Sequence, residues 1–143
     1  MENKKIRNTQ AMEIDGIKFK SKLEVYCYKR LLEEGLLFDY EKYVFVLQDK
    51  FVSTTPSMEL LKTKGNKKFD FASNNIREIT YKPDFVNIED RWIIECKGFA
   101  NDSFAMKWKM FKHLLHRDNM NVTLYLPRNQ KQIDLVIEMI KKK

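Results

Sequence analysis

The sequence predicts an α/β domain with a mixed central β-sheet flanked by helices. Three segments repeat apolar residues at helical spacing: Leu23, Cys27 and Leu31; Phe104, Trp108, Phe111 and Leu115; and Ile133, Val136, Ile137 and Ile140. Between them lie short runs rich in aromatic and β-branched residues, which suit pleated strands. The resulting order of helix, strands, hairpin, helix, strand and helix interleaves the two periodicities, as a layered α/β domain requires.

Residues 1–13 read as a flexible basic N-terminus, and 14–143 as a single domain. Ile14-Asp15-Gly16-Ile17 carries the Asp-Gly pair of a tight turn and predicts a small hairpin. Ser21-Lys22-Leu23-Glu24 has the form of a capping box, so Ser21 opens the first helix and Gly35 closes it. Leu36 to Leu47 reads as one long strand or two short ones. An excursion from the sheet follows at about 48–75, with Ser53 to Ser57 and Lys62 to Lys68 as loop signals and a hairpin or short helix around Met58 to Leu61. Its lysines are candidates for phosphate contacts, although such runs are often solvated loops. Ile76 to Asn87 and Arg91 to Lys97 form a hairpin around a turn at Glu89-Asp90. A helix over about Ser103 to Arg117 places its aromatics in the core rather than on a base-stacking platform. Val122 to Leu126 is a short strand. Asn129 with Gln132 starts a closing amphipathic helix, and Lys141, Lys142 and Lys143 suit its C-terminal dipole or a phosphate backbone.

The chain has 143 residues, enough for one domain with a proper core and few for two. Its 27 Lys and Arg against 20 Asp and Glu leave a net charge of +7, which favours a polyanionic partner and above all nucleic acid. No apolar run approaches the roughly 18 residues that span a bilayer, and the polar, basic start lacks an apolar signal core. The reading is of an intracellular protein without membrane contact. Cys27 and Cys96 are too few for a zinc site and read as reduced core residues. His113 and His116 lie three apart on a helix but lack carboxylate company, and read as incidental.

The chemistry concentrates in Tyr81-Lys82-Pro83-Asp84-Phe85 and Ile94-Glu95-Cys96-Lys97-Gly98. In the predicted hairpin Asp84 sits directly across from Glu95, with Cβ atoms about 4.5–5.5 Å apart. Lys97 points the same way as Glu95, while Trp92, Ile94 and Cys96 make the opposite, apolar side. Two facing carboxylates repel unless one takes a proton or a hard cation lies between them. Mg²⁺ takes oxygen ligands and keeps several waters, so it can hold a phosphate beside an attacking water. The pattern points to metal-assisted phosphodiester hydrolysis, against the plainer reading of an exposed cross-strand ion pair.

Glu24 in an early helix, Pro83-Asp84, and Glu95-Cys96-Lys97-Gly98 together resemble the PD-(D/E)XK nuclease superfamily. Gly16 to Glu24, Tyr81 to Phe85, Glu95 to Gly98 and Lys107 to Phe111 are similar to a group of small phage and prophage nucleases. Leu32 to Glu41 adds a likeness to the phage endonuclease I family of Holliday-junction resolvases. The resemblance covers roughly residues 14–126, and its excursion at 48–75 is longer than in that family. It implies a restriction-endonuclease-like fold and a single nuclease domain over 14–143. It also implies catalytic Glu24, Asp84, Glu95 and Lys97, with metal held by Asp84 and Glu95 and supported by Glu24. The implied cofactor is Mg²⁺, with Mn²⁺ able to substitute. Lys20, Lys22, Lys82, Lys107, Lys109 and Lys112 become candidate DNA contacts. The implied activity is cleavage of branched DNA by a homodimer in the cytoplasm of a bacterial host, if the chain is phage-encoded. A general nicking or double-strand endonuclease of phage recombination or packaging, and a non-catalytic DNA-binding module, are the alternatives.

Overall fold

A computed structural model describes residues 12–142. In chain order the elements are β1 (Met12–Ile14), β2 (Ile17–Phe19), α1 (Lys22–Glu33), β3 (Asp39–Tyr40), β4 (Phe45–Gln48) and β5 (Phe51–Val52). They continue with β6 (Met58–Thr63), β7 (Asn66–Phe71), β8 (Asn75–Ile76), β9 (Ile79–Tyr81), β10 (Phe85–Asn87) and β11 (Trp92–Ile94). The chain closes with α2 (Asp102–Arg117), β12 (Thr123–Tyr125) and α3 (Gln130–Lys141). This is a mixed α/β protein. It forms two compact units, one joining the chain up to Val44 to the chain from Lys82 onward, the other spanning Phe45–Tyr81. The second unit reaches beyond the expected excursion because β4 pairs antiparallel with β9 and closes it at both ends. Of the expected flexible N-terminus, residues 1–11 lie outside the described residues, whereas Met12 and Glu13 already belong to β1.

In the first unit β1 and β2 form the expected hairpin, with Ile14 opposite Ile17. Asp15 and Gly16 both take positive φ, 54° and 78°, the backbone that a two-residue turn of this hand demands. Tyr28 of α1 donates to Asp15 Oδ2 at 2.8 Å and ties the turn to the helix. Ser21 caps α1: its Oγ accepts the Glu24 N–H at 3.2 Å. The reciprocal half of the capping box differs, because the Glu24 carboxylate accepts from the Ser21 hydroxyl at 3.0 Å. At the other end Gly35 takes φ 65°, while Gly35 N–H reaches Leu32 O and Leu36 N–H reaches Leu31 O, satisfying carbonyls the helix leaves open.

The first unit's main sheet has the order β12-β11-β10-β3. β10 runs antiparallel to both β11 and β3, and β12 runs parallel to β11, so the sheet is mixed as expected. The expected single strand from Ile76 to Asn87 is instead three short ones: β8 and β9 pair within the second unit, and only β10 joins this sheet. Pro83, which has no N–H to give a ladder, separates β9 from β10.

Phe85, Trp92, Ile94 and Cys96 share one core with Phe19 of β2, with Val25, Cys27, Tyr28 and Leu31 of α1, and with Ile133, Val136, Ile137 and Ile140 of α3. Phe85 meets Phe38 and Tyr40 with ring centroids 5.5 and 5.2 Å apart, and Phe19 meets Tyr28 and Tyr40 at 4.9 and 4.8 Å. Such tilted and edge-on contacts are the favoured aromatic geometry. Asp134 of α3 accepts from Tyr26 at 2.7 Å and from Arg30 at 2.9 Å, and Lys141 pairs with Glu34, so polar contacts fix how α1 and α3 pack. Val86 and Ile93 are fully buried at the intervening strand positions. Phe104 and Phe111 of α2 are also buried, Trp108 is half-buried, and Leu114 joins them beyond the predicted stripe.

In the second unit β6 and β7 form a six-residue hairpin, turning at Lys64 and Gly65 with φ of 47° and 85°. The hairpin alternative expected at Met58 to Leu61 is the one realised. The run from Lys62 to Lys68, expected to be loop, instead supplies strand ends on both sides of that turn.

Phe85→Ala is expected to cost about 3–5 kcal/mol in urea unfolding, since it opens a cavity beside Phe38 and Tyr40 in the core. Ser21→Ala is expected to cost only about 1 kcal/mol, the usual loss of a helix cap.

Candidate functional site

Continuing the ladders of β10 by one rung past Phe85 sets Asp84 between two glutamates. Phe85 pairs with Ile94 of β11, which carries Asp84 opposite Glu95. Phe85 also pairs with Tyr40 of β3, and the Glu41 N–H donates to the Asp84 carbonyl at 2.8 Å, continuing that ladder to Glu41. Three neighbouring strands therefore each present an acid at the same rung. Like charges directly across a sheet destabilise it, so this rung costs the fold energy unless something positive joins it.

Asp84 holds its carboxylate where the ladder toward β11 stops. The same register sets Pro83 opposite Cys96, where Pro83 has no N–H to exchange. Asp84 Oδ2 accepts the Cys96 N–H at 2.9 Å, fastening the carboxylate to the next strand. On its far side that strand stays in its parallel ladder, with Glu95 N–H donating to Tyr125 O and Lys97 N–H to Pro127 O. The backbone from Glu95 to Lys97 is thus held beyond the end of β11.

Glu24 joins from the first turn of α1. Tyr40 donates to Glu24 Oε1 at 2.7 Å and Ser21 holds Oε2, so both carboxylate oxygens are positioned. Burial, followed by the hydrogen bond to Glu24, raises the Tyr40 pKa and keeps this phenol a donor. Ligand oxygens of Glu24, Glu41 and Asp84 all lie within 4.8 Å of one another. Glu24, Asp84 and Glu95 are 4%, 7% and 5% exposed. Burial first, then the charges of Glu95 and Glu24, drives the Asp84 pKa well above the usual carboxylate value, while the Cys96 N–H opposes the shift.

The cation beside this cluster is Lys20, which sits 3.2 Å from Glu41 with most of its side chain in solvent. Its own pKa is raised by that hydrogen bond. An all-oxygen donor set in this geometry suits a hard divalent cation such as Mg²⁺, and a cation there would relieve the crowding that raises the Asp84 pKa.

Lys97 is half-buried, with Nζ over the Phe104 ring at 4.7 Å from its centroid. By strand alternation it belongs to the Glu95 side, and the Phe104 ring of α2 attracts its ammonium. Among the other lysines singled out, Lys22, Lys82 and Lys109 are exposed, Lys107 is partly covered, and Lys112 lies 6.0 Å over the Trp108 ring. His113 and His116 are both exposed on α2. Cys27 and Cys96 are buried free thiols, and their mutual hydrogen bond, with burial, raises the Cys96 pKa.

The expected four residues thus come from three places: Glu24 from α1, Asp84 from the approach to β10, and Glu95 and Lys97 from beyond β11. Sequence reasoning missed Glu41 and Tyr40 as site residues. Their signal is tertiary: β3 has two residues and reaches the site only by pairing with β10. Glu41 takes φ 47°, an uncommon backbone for Glu that commonly marks functional positions.

Comparison with known proteins places this chain in a family. It belongs to the family described as "Protein of unknown function (DUF1064)", which matches residues 4–131 and so includes every site residue above. No curated protein and no solved structure matches the chain. No helix among the described residues is long and apolar enough to cross a membrane.

Asp84 binds more protons folded than unfolded, because its folded pKa is the higher one. Its favourable contribution is therefore present below the unfolded carboxylate value and lost as pH rises through the raised folded value. In chelator at neutral pH, Asp84→Asn is expected to raise the thermal midpoint, with the gap to wild type closing as pH falls. A midpoint that drops equally at every pH contradicts the crowded-carboxylate account.

Proposed function

We propose that this chain is a Mg²⁺-dependent DNA endonuclease with a PD-(D/E)XK active site on a restriction-endonuclease-like core. The observation that carries the reading is the shared rung of Glu41, Asp84 and Glu95, closed by Glu24 from α1. A fold that gathers buried acids and raises the pKa of one of them has an energetic reason to take a divalent cation. When bound, Mg²⁺ polarises the scissile phosphate and lowers the pKa of attacking water.

Asp84 would hold the ion together with Glu95 from the next strand. Glu24 and Glu41 complete the oxygen set. The Cys96 N–H and the Tyr40 hydroxyl hold Asp84 and Glu24 in place, so little reorganisation accompanies loading. Lys97 orients the water or neutralises charge growing on the phosphate. The net charge of +7 supports a nucleic-acid substrate. Branched DNA as the preferred substrate, a Holliday-junction resolvase role in a phage setting and a homodimer making paired cuts rest on the resemblance of Leu32 to Glu41 and the motif set.

Gel-resolved cleavage of a labelled four-way junction and the matching linear duplex tests the reading, in Mg²⁺ and in EDTA. Metal-dependent cutting, lost in Asp84→Asn, establishes the enzyme. Cutting of the junction alone establishes the resolvase, and equal cutting of both a general nuclease. Binding without cutting in any metal turns the assignment to a DNA-binding module. Lys97→Ala is expected to lower cleavage about 10²–10⁴-fold, the range for a group acting on the proton or charge of the reaction, while binding changes only a few-fold. Glu24→Gln keeps the helix cap and the Tyr40 acceptor, and is expected to lose cleavage without losing stability. Unchanged activity in that variant reduces Glu24 to a cap.

A further inference from the structure

The β6–β7 hairpin of the second unit has two unlike faces. Met58, Leu60 and Lys62 share one face with their cross-strand partners Phe71, Phe69 and Lys67. Glu59, Asp70, Leu61 and Lys68 share the other, where Lys68 pairs with Asp70 at 2.9 Å. The first face therefore has an apolar base and a cationic tip, with no acid.

This apolar base is open to solvent: Met58, Leu60, Phe69 and Phe71 are 48%, 54%, 64% and 60% exposed. The sheet contains only these two strands. Contiguous exposed apolar surface of this kind marks a contact site. Lys62 and Lys67 face each other directly, and neither has an ion-pair partner among the described residues. Opposed like charges weaken a ribbon, and an anion bound between them removes that cost.

We propose that the β6–β7 ribbon is a nucleic-acid-binding arm that recognises unpaired bases. Phe69 and Phe71 stack on base faces, and Lys62 and Lys67 contact the flanking phosphates. Charge complementarity selects this occupant. A second copy of the chain offers the same face, with lysines and no acid to meet them, whereas a strand with exposed bases offers anionic backbone and apolar ring faces together. The inference rests on the nucleic-acid reading above but not on its chemistry, and it gives that reading a source of preference for DNA with unpaired regions.

The test is fluorescence anisotropy of the full chain in EDTA, where metal-dependent cleavage cannot occur, with a labelled single-strand oligonucleotide, a splayed-arm DNA and a perfect duplex. Phe69→Ala/Phe71→Ala is expected to weaken single-strand and splayed-arm binding by about tenfold or more and duplex binding far less. Lys62→Gln/Lys67→Gln is expected to flatten the salt dependence by the equivalent of about two phosphate contacts. Phe69→Trp is expected to preserve affinity and to show emission quenched by the single strand. These positions are exposed, and an unchanged thermal midpoint checks that the variants fold.

Equal binding of all three DNAs by wild type and Phe69→Ala/Phe71→Ala overturns the proposal. So does loss of a dimer in that variant with DNA affinity intact, which makes the face an interface between copies. Binding of wild type to anionic phospholipid vesicles, lost in the variant without change in DNA affinity, overturns it in favour of a membrane surface. If Asp84-dependent cleavage persists while the hairpin variants bind normally, this inference fails alone. If the hairpin binds unpaired DNA and no metal supports cutting, the nuclease reading fails alone.

Discussion

β10 has three residues, yet its register against β3 and β11 sets both the core and the acidic rung. Phe85 is fully buried against the rings of Phe38 and Tyr40, which resists any slip of the strand. A shift of one residue turns Phe85 out of the core and brings Asp84 or Val86 into its place. The large cost of that exchange locks the pairing of Phe85 with Ile94 and with Tyr40. Once those pairs are fixed, Glu41, Asp84 and Glu95 have no choice but to share the next rung. The apolar core thereby holds together charges that would otherwise separate.

Pro83 and Cys96 act at the same point with opposite signs. Pro83 withholds an N–H from the ladder, and the Cys96 N–H goes to the Asp84 carboxylate in place of a backbone acceptor. That bond favours the ionised acid, while burial and the neighbouring glutamates favour the protonated one, and the net shift of the pKa is upward. A site poised in this way favours a cation, because binding one offsets the repulsion that raises the Asp84 pKa. Tyr40 performs a related task for Glu24. It sits in the core stack with Phe19 and Phe85 and sends only its hydroxyl to the carboxylate, so aromatic packing positions the acid.

The second unit is built on a different principle. Its sheets are pairs of short strands, β4 with β9, β5 with β8 and β6 with β7. Two-stranded ribbons stand poorly by themselves in water, and every residue of β6 and β7 except Leu61 and Asp70 is exposed. Alternation in a strand ordinarily signals one buried face. Here neither face is buried within the ribbon, and the lysine-rich tip around Gly65 resembles a loop in sequence while folding as strand.

Local physics made much of the first unit legible in advance. Ser21 and Gly35 bracket α1, Asn129 caps α3, and Ile133, Val136, Ile137 and Ile140 are all buried as their spacing requires. The pairing of Phe85 with Ile94 also follows from the sequence, because the two strands are close in the chain and a short turn fixes their register. Only the tertiary structure decided that β3 lies against β10, and with it the entry of Glu41 and Tyr40 into the site. A two-residue strand carries no periodicity to read, and its partner lies more than 40 residues away in the chain. The limits of the second unit were likewise hidden, since β4 and β9 are defined by each other across about 30 residues. The sequence by itself determined the helices, their caps and the hairpin that carries Asp84 and Glu95; long-range strand pairing decided which further side chains meet them.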